Sequence, residues 1–418
     1  PPEELFNEPE ASVLMPLPEL HTLEAPPSFL LEALVTLRDH GYEAFVVGGS
    51  VRDRLLNRQV NDWDLATSAL PNEVMQCFEK VIETGIEHGT VTAVLDGNQI
   101  EITTYRVDGD YRDGRRPEEV VFTRSIEEDL LRRDFTVNAI AWDPINATLT
   151  DPYDGCKDLQ RGILKAVGDA HARFQEDGLR VLRAIRFATT LDFEIDEETE
   201  QGAIAAIDTL KKIAAERIQV ELLKTLSNDK AARGLSLIHR FNIAEICFPN
   251  QPTLPSDHWH RLCEAMSTCD GHITSRLALI FHAIQDYANL SQVQFAKQAK
   301  STLKALKFPN KQSQAVLNLL SFSSLDPNQP RSDALVRALA VEIGIDHLDQ
   351  LWAYQEAWGR SETDSPRQID KLNSWQALSE RMTALNVDAA PKSAKDLDIT
   401  GHDLCEALDL FPSRAIGD

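Results

Sequence analysis

Residues 48 to 67 read GGSVRDRLLNRQVNDWDLAT. Asp62 and Asp64 are two apart, and in an extended strand residues i and i+2 project from one face. Two carboxylates on one edge repel unless a cation sits between them. Hard oxygen donors suit Mg2+, which commonly works beside substrate phosphates. Two such ions about 3.5–4 Å apart activate an attacking hydroxyl and stabilise a leaving phosphate. Glu101, in the alternating run QIEITTYR, is placed to supply a third carboxylate. The other reading of all three acids is solvent-facing charge, and residue type leaves both open. Gly48 and Gly49 let the backbone approach a triphosphate, the helix start at Ser50 presents free N–H groups, and Arg52 adds charge. A Gly-Gly pair before a helix is also an ordinary tight turn. The order and short spacing of turn, arginine and acid pair favour the phosphate chemistry.

These groups need an α/β frame, and the flanking residues supply one. SFLLEALVTLRDH (28–40) has helical apolar spacing and Gly41 as a stop. AFVVGG reads as a buried strand, SVRDRLLN as a helix, DWDLAT as a strand and LPNEVMQCFEK as a helix with an Asn at its start. GTVTAVLDGNQIEITTYRV gives two strands across an Asp-Gly-Asn turn. DGDYRDGRRPEE is a loop, and RSIEEDLLRRDFTVNAIAWD a helix followed by a strand. Residues 28–150 thus form one α/β unit. From Ala170 onward the period is near that of a helix, with helices expected at 170–190, 197–208, 214–226, 229–240, 257–268, 273–286, 294–305, 310–321, 331–343, 346–360 and 367–384.

Residues 1–27 hold seven prolines, six glutamates and no Lys or Arg, which reads as an acidic mobile arm with no signal-peptide character. No apolar run is long enough to span a bilayer. The six cysteines include no CxxC pair, so reduced thiols and a cytoplasmic location are expected and a zinc site is not. The net charge of −24 argues against a nucleic-acid partner, but arginines gather between Arg106 and Arg133 and again at Arg180, Arg183 and Arg186. A basic cleft on an acidic body is compatible with both facts.

Six ordered blocks, GGSVRD…DWDLAT, EITTYRVDGDYRDGRRP, RRDFTVNA, DPYDG, EDGLRVLRAIRFA and ERIQVELLK, resemble the class II tRNA nucleotidyltransferases. These are the CCA-adding enzymes and their bacterial poly(A) polymerase relatives. LKFPNK and LDITGHDL extend the likeness thinly. The resemblance implies an α+β chain, with a polymerase-β-like nucleotidyltransferase head of small mixed sheet and helices, then an all-α neck, body and tail. Mapped here, these are a head at 28–150, a neck at 151–226, a body at 227–350 and a tail at 351–418. It also implies Mg2+-dependent, template-independent addition of C, C and A to a tRNA 3′ end from CTP and ATP. Asp62 and Asp64 match the metal pair and Glu101 the third carboxylate. Arg132, Arg133, Asp134 and Asn138 match the block that holds the nucleotide's sugar and phosphates. Arg112, Arg115 and Arg116 lie in the loop that helps shift specificity from C to A, and its full length argues against an enzyme that adds only CC. Glu216 and Arg217 match a bracing block.

The EDGLR block also has a reading from chemistry. On the continuous helix expected at 170–190, Asp177 and Arg180 share a face. Asp177 accepts from the amino group of cytosine or adenine, and Arg180 donates to the ring acceptors. Uracil and guanine reverse both contacts, at a cost of a few kcal/mol. An ordinary surface salt bridge is the alternative for that pair. Glu176 is read as orienting Arg180, with Arg183 and Arg186 further along the nucleotide-binding face.

Trp63 replaces the family's usual Val or Ile and is expected to face away from the metals. His282 is followed by Ala283, so a phosphohydrolase His-Asp pair is absent there. The sequence ends on FPSRAIGD, so the tail is expected to be short or truncated. The rival readings are an A-adding enzyme beside a separate CC-adding one, a poly(A) polymerase and a non-catalytic RNA-binding protein. KVIETGIEHGTV stands where the poly(A) polymerase has a basic Gly-Arg-Arg-Phe-type block, and the three intact acids oppose the non-catalytic reading.

Overall fold

A computed structural model of the chain describes residues 17, 25–60, 62–108, 120–344, 347–361, 366–385, 403 and 405–406. It divides into two compact units, Pro1–Cys247 and Phe248–Asp418.

The first unit opens with α1 (Ser28–Asp39), which buries Leu30, Ala33, Leu34 and Leu37, the stripe that helical spacing predicts. There follow β1 (Ala44–Val47), α2 (Gly49–Leu55), β2 (Asp64–Thr67), α3 (Pro71–Cys77), β3 (Val81–Gly85), β4 (Thr90–Leu95) and β5 (Asn98–Thr104). Next come β6 (Arg106–Asp108), β7 (Val120–Phe122), α4 (Ile126–Leu131), β8 (Ala141–Asp143) and β9 (Thr148–Thr150). Seven strands form one sheet in the order β3-β4-β5-β2-β1-β8-β9. β2 and β5 run parallel, and the other neighbouring pairs are antiparallel. This is the expected mixed sheet, and the β4–β5 hairpin closes through Asp96-Gly97 as read. β6 and β7 make a separate ribbon. Val47, Ala66, Tyr105, Ile126, Leu130, Ala139, Ala141 and Val167 form a buried cluster that fixes α4 to the sheet.

Helices then dominate: α5 (Gly155–Arg161), α6 (Ala170–Glu176), α7 (Leu179–Leu191), α8 (Glu197–Ala205), α9 (Ile207–Leu210), α10 (Ala215–Leu226), α11 (Ala231–Arg240) and α12 (Ala244–Cys247). Asp151 of DPYDG caps α5 by accepting the N–H groups of Gly155 and Cys156 at 2.7 and 2.9 Å.

Three expectations change. The single helix over 170–190 is two helices, broken at Asp177 and Gly178. A Cβ on Gly178 would lie 2.5 Å from the Leu210 nitrogen and 2.6 Å from the Thr209 carbonyl carbon, so the chain turns where another backbone passes close by. β3 was not foreseen, because this edge strand is mostly exposed and shows no alternation. Asp62 precedes β2 rather than belonging to it.

In the second unit α13 (Ser256–Thr268), α14 (Ile273–Ala288), α15 (Gln292–Ala305), α16 (Asn310–Ser321), α17 (Asp333–Ile343), α18 (Leu348–Arg360) and α19 (Pro366–Ala384) pack together. α14 is apolar nearly all round and buries Leu277 through Phe281 against α13, α16 and α18. His282 is half-buried and packs edge-on to Tyr354 and Trp358, with ring centroids 5.7 and 5.8 Å away. No described helix is long and apolar enough to cross a membrane.

Candidate active site

The β1–α2 turn, the start of β2, the foot of the β6–β7 ribbon, the segment after α4 and the α6–α7 junction converge on a cavity of about 540 Å3 in the first unit. Arg52, Arg106, Arg132, Arg133, Arg180, Arg183, Arg186 and Arg217 line it, against the carboxylates Asp64, Asp134 and Asp177. A chain of net charge −24 therefore holds a locally cationic cleft, which suits a polyanion.

Gly48 sits at φ 75°, a left-handed conformation that disfavours a side chain, and a Cβ there would lie 3.1 Å from Arg133 Nη1. The turn thereby leaves room for the guanidinium beside Asp64. Parallel pairing sets Asp64 directly opposite Glu101. Burial, then Glu101 and Asp62, push the Asp64 carboxyl up to about 6, while Arg133 pulls the other way. Asp64 thus feels the charge of both other predicted carboxylates. Asp62 and Glu101 are exposed and stand outside the cavity lining. Among the described residues no three potential ligands are close enough to hold an ion by themselves. The donor type nevertheless fits a hard divalent cation, whose coordination substrate oxygens commonly complete.

Deep carboxylates hold the arginines in place. Asp129, fully buried, accepts from Arg132 Nε at 2.9 Å and Arg133 Nη2 at 3.0 Å. Asp134 accepts from Arg183 Nε at 2.8 Å and Asn138 Nδ2 at 3.0 Å, while Asn138 Oδ1 accepts from Arg52 at 2.5 Å. Burial opposes the charge on Asp134, yet Arg183 and Asn138 outweigh it and hold the carboxyl well below the usual range. Glu221 on α10 accepts from Arg186 at 2.5 Å. The guanidiniums of Arg52, Arg183 and Arg186 surround the Phe187 ring at 5.1, 5.3 and 3.9 Å from its centroid, contacts each worth about 0.5–2 kcal/mol.

Asp177 and Arg180 both reach the cavity but not from one helix face, which corrects the i, i+3 reading. Asp177 is extended, at φ −141° and ψ 106°. Its Oδ1 accepts the Leu179 N–H at 3.0 Å, and Oδ2 accepts from Arg217 at 2.7 Å. Arg180 donates to Glu176 at 2.6 Å, to the Arg173 carbonyl at 2.7 Å and to the Arg132 carbonyl at 3.0 Å. Ser50 and Glu176 do not line the cavity; the Ser50 hydroxyl donates to the Val47 carbonyl at 2.9 Å. Arg112, Arg115 and Arg116 lie outside the described residues. Arg106, Leu179 and Phe187 line the cavity without having been singled out from sequence. Arg106 belonged to a noticed arginine cluster, whereas Phe187 and Leu179 carried only the signal of core residues.

Comparison with known proteins follows this geometry. A family profile described as "Poly A polymerase head domain" matches residues 44–165, and one described as "tRNA nucleotidyltransferase domain 2" matches 284–418. The CCA-adding enzyme of Geobacillus thermodenitrificans is 40% identical over 316 residues, 73% of this chain and 74% of that protein. That of Geobacillus sp. strain WCH70 is 51% identical over 208 residues, about half of each chain. The crystal structure of the Bacillus stearothermophilus CCA-adding enzyme in complex with CTP, 31% identical, superimposes with a TM-score of 0.72 over 93% of this chain and 89% of that one. A tRNA nucleotidyltransferase complexed with a primer tRNA and an incoming ATP analog shares the fold at 20% identity and a TM-score of 0.59, over 85% of this chain and 99% of that one.

Proposed function

The chain belongs to the CCA-adding enzyme family, and from that premise we propose that it adds C, C and A to tRNA 3′ ends from CTP and ATP by attack of the RNA 3′-OH on the nucleotide α-phosphate, with pyrophosphate leaving. The observation that carries this reading is the arginine-lined cleft, which Asp64, the cross-strand neighbour of Glu101, lines together with Asp177 and Arg180. A triphosphate, a reacting α-phosphate and a nucleobase are thereby each given a complementary surface.

Asp62 and Asp64 would hold Mg2+. The ion, when bound, supplies Lewis-acid activation of the hydroxyl and neutralises leaving-group charge. Glu101, an exposed carboxylate opposite Asp64, assists the loss of the hydroxyl proton. Arg132 and Arg133 bind the triphosphate, and Arg52, Arg183 and Arg186 extend the cationic wall to the leaving pyrophosphate. Asp134 and Asn138 fix Arg183 and Arg52 behind that wall and face the sugar. Asp177 accepts the amino group of cytosine or adenine, and Arg180 donates to the ring nitrogen. A base carrying a carbonyl and a ring N–H at those positions leaves both contacts unpaired.

The proposal also places a nucleotidyltransferase head at 28–150, a neck at 151–226, a helical body at 227–350 and a tail at 351–418. It includes a cytoplasmic location, which rests on the tRNA substrate class and on the free state of all six cysteines. The test is labelled-CMP incorporation into a tRNA transcript lacking its 3′ CCA. Asp62→Ala and Asp64→Ala are expected to abolish incorporation while tRNA binding persists. Incorporation at the parental rate in either variant overturns the carboxylate assignment.

A further inference from the structure

Asp129 is wholly buried, and nothing about packing α4 against the sheet calls for a charge at that position, where its neighbours Ile126 and Leu130 are apolar. Burying a carboxylate is costly unless each oxygen is satisfied. Among the described residues its oxygens are satisfied by residues that line the cleft. Oδ1 accepts from Arg132 Nε at 2.9 Å and from the Arg106 backbone N–H at 3.3 Å. Oδ2 accepts from Arg133 Nη2 at 3.0 Å. Arg106, Arg132 and Arg133 all line the same cavity. One carboxylate therefore sets the spacing of two guanidiniums and ties the foot of the β6–β7 ribbon to them.

We propose that Asp129 is a positioning residue for polyphosphate binding, holding Arg132 and Arg133 as a fixed pair and anchoring the backbone of Arg106 beside them. It touches no substrate and acts through the two guanidiniums. Its buried charge balances one of theirs, and the closeness of both arginines keeps its carboxyl below the usual range despite burial. The proposal rests on the nucleotide reading of the cleft.

Asp129→Asn is the discriminating variant. The amide oxygen can still accept from Arg132 and Arg106, but its NH2 then confronts Arg133 Nη2, donor against donor, so Arg133 alone is released. Binding of CTP, CMP and inorganic tripolyphosphate is measured by calorimetry on the full chain, with KM and kcat for CTP on a tRNA lacking CCA. The expected result is a loss of roughly tenfold or more in affinity for CTP and tripolyphosphate. KM for CTP should rise by a similar factor, kcat should change less, and CMP binding should stay near parental. Arg133→Met added to Asp129→Asn should cost little more than either change alone. Equal weakening of CMP and CTP, unchanged tripolyphosphate affinity, or additive losses overturns the proposal. If Asp129→Asn fails to fold, Asp129→Glu carries the same test, since it keeps the charge but displaces it by one methylene; parental tripolyphosphate affinity there overturns the proposal too. A parent protein that binds neither CTP nor tripolyphosphate would instead refute the nucleotide reading itself.

Discussion

Asp177 and Arg217, 40 residues apart, are joined by a 2.7 Å ion pair in the lining of the cleft. The pair couples the α6–α7 junction to the start of α10 and sets the direction of the carboxylate assigned to read a base amino group. Arg217→Met should leave that carboxylate its bond from the Leu179 N–H but remove the guanidinium that holds Oδ2. The expected outcome is a loss of discrimination between CTP and UTP of roughly tenfold, with less change in kcat for CTP. Single-turnover extension with each nucleotide checks it; unchanged discrimination would make the pair a structural brace alone.

Asp64 ties pH to both stability and activity. Its carboxyl is pushed up to about 6 in the folded chain, above its ordinary 3.8. A raised acid contributes stability that is fully present below the unfolded value and is lost as pH rises through about 6. Without Mg2+, Asp64→Asn should therefore be more stable than the parent at pH 7.5, by on the order of 1–2 kcal/mol, with the gap closing below pH 4. Thermal unfolding at the two pH values measures this. If Mg2+ binds at Asp64 as proposed, it displaces the same proton, so activity at limiting Mg2+ should fall as pH drops through about 6 and recover when Mg2+ is raised.

Gly178→Ala places a methyl against the Thr209–Leu210 backbone, which has no side-chain freedom with which to yield. A destabilisation of about 1–3 kcal/mol is expected, with a rise in KM for both CTP and ATP because Asp177 and Arg180 flank the displaced turn. Urea titration alongside steady-state kinetics separates the two effects. A fully stable variant would show that the close approach is relieved elsewhere.

Glu221→Gln weakens the hold on Arg186, 2.5 Å away, and removes the buried charge facing Arg183. Breaking a buried pair leaves an uncompensated ion, and about 3 kcal/mol of stability should be lost. Pyrophosphate should become a weaker product inhibitor. A variant with parental stability and inhibition would remove Glu221 from the supporting set.

The β4–β5 hairpin, most other strands and most helices were legible because alternation, helical spacing and the Asp-Gly turn are local signals, while the mixed sheet followed only from the family resemblance, since the parallel β2–β5 pairing is not local. Asp64, Arg132, Arg133 and Arg180, singled out from the order of the motifs, do share one cleft, whereas residue type alone left the acids open to a surface reading. β3 was illegible, since an exposed edge strand buries no face that could impose alternation. The break at Gly178 was illegible too: its cause is the Leu210 backbone, 32 residues away in sequence. The partners of Asp177 and Arg180 depended on that break. Phe187 read as core because an aromatic ring gives no sign in sequence that guanidiniums will gather around it.

The most direct test of the central claim is extension of three tRNA transcripts, one lacking CCA, one ending in C and one ending in CC. Each is incubated with the protein, Mg2+ and CTP, ATP, GTP or UTP singly, then with CTP plus ATP, and resolved at single-nucleotide length. The account predicts completion to CCA on the first transcript with CTP plus ATP, a stop at that point, and no use of GTP or UTP. Growth only on the CC-ended transcript with ATP, or long A tails on any RNA, would contradict it.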